Sequence, residues 1–115
     1  MRIIIAVLLG LSVSSWAVGA VSGNTLMEWA PSFKRVQSDS ATSRQDFTQA
    51  GELRGYIIGV KDSLGRQNLV CVPIQVKDKE LVKIVIEYLE ANPDKRADSG
   101  AVVVFDALEA FYDCN

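Results

Sequence analysis

The stretch Asp46-Phe47-Thr48-Gln49-Ala50-Gly51-Glu52-Leu53-Arg54-Gly55-Tyr56-Ile57-Ile58-Gly59-Val60-Lys61-Asp62 decides the fold class. Phe47, Ala50, Leu53, Ile57 and Val60 recur every three or four residues, the period of an amphipathic α-helix and not the alternation of a strand. The spacing predicts a helix over residues 46–62. Within it, Gly51, Gly55 and Gly59 stand at i, i+4 and i+8. Each interior glycine costs a helix about 1 kcal/mol relative to alanine, and the expected compensation is a neighbouring helix packed closely along that row. In a membrane the same spacing favours helix pairing, but Glu52, Arg54, Lys61 and Asp62 suit a helix in water. A phosphate-binding loop is a poor fit, because no strand precedes the glycines and the Walker lysine is missing from its place.

Working outward, the segment before this helix carries Leu26, Met27, Trp29, Ala30 and Phe33 at helical spacing, with Asn24 as a cap. Pro31 leaves the end of that helix open, and Gln37–Arg44 reads as a loop by composition. After the central helix, Ser63–Asn68 reads as a turn. Val70, Val72, Ile74 and Val76 then alternate with Cys71, Pro73 and Gln75. This is either an edge strand, since Pro73 forbids a central one, or an extended lead-in to the next helix. Asp78 suits the N-cap of a third helix, whose face is Leu81, Ile84, Val85, Tyr88 and Leu89 and which Asn92-Pro93 stops. A fourth helix opens at Pro93 or Asp94 and buries Ala97, Ala101, Val104, Phe105, Leu108 and Phe111. Tyr112 lies off that stripe, and Cys114 follows the helix end. The fold class is all-α, a small bundle of about four helices with one disulfide and, as one option, a short extended segment near Cys71.

The first twenty residues read as an export signal. Arg2 is the positive start, Ile3–Val13 the apolar core, and Val18-Gly19-Ala20 the small-residue exit, so cleavage is expected after Ala20, with Ala17 second. A retained anchor would need about 20 apolar residues. Residues 1–20 are therefore assigned to a signal peptide and residues 21–115 to one helical domain, placed in the periplasm and free of the membrane once cleaved.

The chain has 12 basic and 14 acidic residues, and loss of Arg2 with the signal makes the balance more acidic. Nothing here resembles the basic footprint of a nucleic-acid binder. Two cysteines in an exported chain allow one connectivity, Cys71–Cys114. A closed loop of about 43 residues contributes roughly 4 kcal/mol in the chain-entropy model, a large share for a small domain. Two buried free thiols are the weaker reading.

Histidine is absent, which removes Ser-His-Asp and Cys-His catalysis and any histidine-bearing zinc site. The carboxylate pairs Glu87/Glu90 and Asp106/Glu109 stand at i, i+3 on helices with apolar opposite faces and read as solvated surface. No catalytic residue, cofactor or metal is expected, and the chain is not read as an enzyme.

Four short motifs, in order, carry a family resemblance. They are Gly55-Tyr56-Ile57-Ile58-Gly59-Val60-Lys61-Asp62, then Cys71-Val72-Pro73, then Tyr88-Leu89-Glu90-Ala91-Asn92-Pro93, then Ala107-Leu108-Glu109-Ala110-Phe111-Tyr112-Asp113-Cys114. Together, behind a signal peptide, they make the chain similar to the Rap/Tai immunity-protein family, periplasmic antidotes to the cell-wall amidases of type VI secretion. The resemblance runs from about Asn24 to the end. The chain departs from the family pattern at Leu53, Trp29 and Ala30, where relatives often carry a second cysteine pair, and at Asp113, where relatives tend to have proline.

The resemblance implies function by binding: the antidote docks on a cognate cell-wall amidase effector and occludes its active site. Among the loops, Lys61–Asn68 ranks first for partner binding, through Asp62, Ser63 and Arg66, ahead of Asn92–Ser99 and Gln37–Arg44. Family members are often homodimers. The apolar excess on the third helix suits an interface, and an intrachain core accounts for it equally. The alternative is a periplasmic stress chaperone or another exported protein-binding module.

Overall fold

The computed structural model describes residues 20–115. Apart from Ala20, the expected export signal lies outside the described residues. Four α-helices follow in order: α1 (Gly23–Gln37), α2 (Arg44–Arg66), α3 (Asp78–Ala91) and α4 (Gly100–Tyr112), with a short 3-10 turn at Pro93–Lys95. The architecture is the expected all-α bundle, and the Cys71–Cys114 disulfide is present with its Cα atoms 4.9 Å apart.

α1 is longer than its apolar stripe suggests. Ser22, not Asn24, is the N-cap; its hydroxyl accepts from the Thr25 N–H at 3.3 Å, and Thr25 Oγ1 accepts from the Ser22 N–H at 3.2 Å. Pro31 sits inside the helix and is exposed, so its ring faces water and the helix runs six residues past it. Asp39, at φ 61°, closes the helix in the left-handed conformation, with the Ser40 N–H donating to the Arg35 carbonyl at 2.8 Å.

α2 begins two residues earlier and ends four later than the apolar period indicates. Ser43 caps its start by accepting from the Asp46 N–H at 3.1 Å. The segment read as a turn from Ser63 is helical to Arg66. The true end is a Schellman closure: Asn68 at φ 58° donates to the Gly65 carbonyl at 3.1 Å, and Leu69 donates to the Leu64 carbonyl at 2.9 Å.

The expected packing along the glycine row is not found. Gly51, Gly55 and Gly59 are exposed, and a Cβ at any of them would meet nothing within 4 Å. Two residues along a helix turn it by about 200°, so a row at 51, 55 and 59 points away from Leu53 and Ile57, which are fully buried. The other helices pack on the Leu53–Ile57 side. Phe47 belongs to the outer side too and is 58% exposed. Close approach to glycine occurs elsewhere, at Gly23 against the Arg96 backbone and at Gly100 against the Tyr56 ring.

α3 delivers Leu81, Val82, Val85, Ile86 and Leu89 to the core. Lys77, not Asp78, occupies its N-cap; the Glu80 carboxylate accepts from the Lys77 N–H at 3.2 Å. Asp78 becomes the first helical residue, where its charge suits the helix dipole, and pairs with Arg54 of α2 at 3.1 Å. Pro93 opens only the 3-10 turn. α4 starts at Gly100 behind Ser99, whose hydroxyl accepts from the Val102 N–H at 3.3 Å. Its buried face is Gly100, Val103, Val104, Ala107 and Leu108. Ala97, Ala101 and Phe111, expected inside, are exposed, and Tyr112 is half-buried.

No strand forms among the described residues; the segment after α2 is the extended lead-in. Val70 is buried in the core and Val72 and Val76 pack against it. The apolar interior is thus one cluster drawn from all four helices and Val70. Among the described residues no helix is long and apolar enough to cross a membrane.

Candidate functional site

The disulfide end of the bundle holds the Lys61–Asn68 stretch that the sequence ranks first. Cys71 is held twice to the end of α4: through its sulfur to Cys114, and by its N–H donating to the Tyr112 carbonyl at 2.8 Å. Beside it, Lys61, Asp62, Gly65, Arg66, Val70, Cys71 and Val72 line an open hollow of about 520 Å³. The last turn of α2 presents Asp62 and Arg66 to this hollow, because residues four apart share a helix face. Ser63 does not line it; its hydroxyl accepts from the Gln67 side chain at 3.3 Å. Asp62 is paired with its neighbour Lys61 at 2.8 Å, while Arg66 has no charged partner among the described residues. Two of the three expected partner-binding residues are therefore brought together, next to the disulfide.

The segment that follows is exposed at Pro73, Ile74 and Gln75. The Val76 N–H donates to the Pro73 carbonyl at 3.1 Å, closing a turn with Ile74 and Gln75 at its centre. Ile74 is 99% exposed. A strict alternation would have put it inside with Val70, Val72 and Val76; the turn breaks the phase.

A second hollow, also about 520 Å³, lies between the end of α1 and α3. Phe33 and Ile86 form its apolar floor, and Lys34, Lys79, Lys83, Glu80, Glu87 and Glu90 ring it. Lys34 and Glu90 close across it at 2.7 Å. With both signs interleaved on the rim, it offers no single charge to select a ligand.

A polar network unmarked in the sequence pins α1 to α2. Arg35 donates through Nη2 to Asp46 Oδ1 at 2.7 Å and through Nε to Oδ2 at 3.1 Å, a bidentate pair. The buried Ser32 hydroxyl lies 3.2 Å from Asp46 Oδ1 and 2.7 Å from Gln49 Oε1. The Arg35 guanidinium holds the Asp46 carboxyl below the usual carboxylate range; burial opposes this, and the Thr42 N–H, the arginine charge and the Ser32 hydroxyl assist it. The hydrogen bond that Arg35 donates to Asp46 raises Arg35 in turn. Burial also raises the Tyr56 phenol, and burial followed by the charge of Asp106 raises Tyr88.

The Ser32–Arg35–Asp46 groups hold α1 and α2 together. Glu87 and Glu109 are exposed, Glu90 is engaged with Lys34, and among the described residues no group of three or more acidic or cysteine side chains could hold a metal ion.

Searches of the curated proteins and of solved structures find no match. A family model described as Rap1a immunity proteins matches residues 22–114. The match starts at the α1 cap and ends at the second cysteine of the disulfide, so it spans the whole bundle just described. The chain belongs to the Rap1a immunity protein family.

Proposed function

We propose that this immunity protein is exported and that it binds a cell-wall amidase effector of type VI secretion, occluding the active-site cleft so that peptidoglycan is spared. The observation that carries the reading is the family match across residues 22–114. The body itself supports function by binding: a disulfide-tied bundle that presents an exposed turn and a charged hollow at one end. Inhibition of this kind needs no catalytic group, cofactor or metal in the inhibitor.

Export with cleavage after Ala20 fits the way the bundle starts. Val21 packs against the core, and its carbonyl accepts from the Gly100 N–H at 2.8 Å, whereas Ala20 is exposed. A cut after Ala20 keeps Val21, which packs on the core, within the mature chain. An oxidising periplasm would also allow the disulfide to persist.

The test is protection of living cells. Type VI cell-wall amidases are directed one at a time to the periplasm of a host, with and without this protein. Rescue from lysis by one of them, together with a stable complex on gel filtration, is the expected result. No rescue from any amidase would sink the amidase reading and turn attention to a different toxin or to the chaperone alternative.

A further inference from the structure

We draw no further inference here: the strongest candidate, the outer face of α2, where the exposed Phe47 stands one turn before the row of Gly51, Gly55 and Gly59, carries nothing, because nothing in the structure shows what covers it.

Discussion

Ser22 and Ser99 pair with each other in an antiparallel bridge while each caps its own helix. The starts of α1 and α4 therefore meet, although both carry the positive end of a helix dipole. Carbonyls supplied from across the junction offset this: Gly23 and Asn24 donate to Asp98 and Arg96 at 3.0 and 2.8 Å, and Gly100 donates to Val21 at 2.8 Å. Each helix start is satisfied by the segment that leads into the other.

That junction leaves no room for a methyl group. A Cβ at Gly23 would lie 2.8 Å from the Arg96 Cα, which is backbone and cannot swing aside. Gly23→Ala should cost roughly 1–3 kcal/mol, in line with overpacking elsewhere. Gly100→Ala, which meets the Tyr56 ring at 2.8–3.0 Å, should cost less, because a side chain can shift. Urea unfolding of the two variants checks the order.

The opposite sign is expected on the outer face of α2. Nothing lies within 4 Å of a Cβ at Gly51, Gly55 or Gly59, so alanine gains helix propensity without a clash. Each substitution should stabilise by about 0.4–1 kcal/mol, and the triple variant should melt measurably higher. A lower melting temperature would mean that the row is covered after all.

Stability should fall in acid through Asp46. Its folded pKa lies below the unfolded value, so its contribution is complete above about pH 4 and is lost as pH falls through the depressed folded value. Asp46→Asn should therefore destabilise at pH 7 more than Asp78→Asn, whose ion pair is exposed, and its deficit should shrink below pH 4. Tyr56 and Tyr88, raised in the fold, act at the other end, losing stability as pH rises past about 10. Chemical denaturation across the range reads both effects.

Removing the disulfide by Cys71→Ser with Cys114→Ser should cost about 2–5 kcal/mol. It should also expose the Arg66 and Lys77 peptide bonds to trypsin well before those of α3, since only the packing of Val70, Val72 and Val76 and the residue-71 N–H bond to Tyr112 then hold the segment. Equal cleavage in the two forms would show that the disulfide does not brace it.

How much of this the sequence reveals depends on how sharply polar residues mark a face. α2 and α3 are legible because charged residues alternate with the apolar stripe in helical period. α4 is only partly phased because Ala101-Val102-Val103-Val104-Phe105 contains no polar residue to separate inside from outside; Val104 and Leu108 are buried as expected, but Val103 and Ala107 complete the face in place of Ala101 and Phe111. The glycine row is visible as a pattern, but its direction is not, since spacing alone cannot say which face of α2 meets its neighbours. The position of Asp62 and Arg66 beside the disulfide is legible from their place in the chain, between the central helix and Cys71. Ile74 is missed because period-two alternation places it inside, and only the Pro73–Val76 turn reverses it. The Ser32–Arg35–Asp46 network is missed because its members come from a helix end and a helix start with a loop between them.

The way the Pro73–Val76 turn is mounted separates two kinds of selection. Val70, Val76 and the disulfide carry the folding energy of the segment, while Ile74 and Gln75 face outward. Exposed positions of this kind change stability little when substituted. Descendants of this chain can therefore exchange residues at the tip without approaching the threshold at which the bundle unfolds.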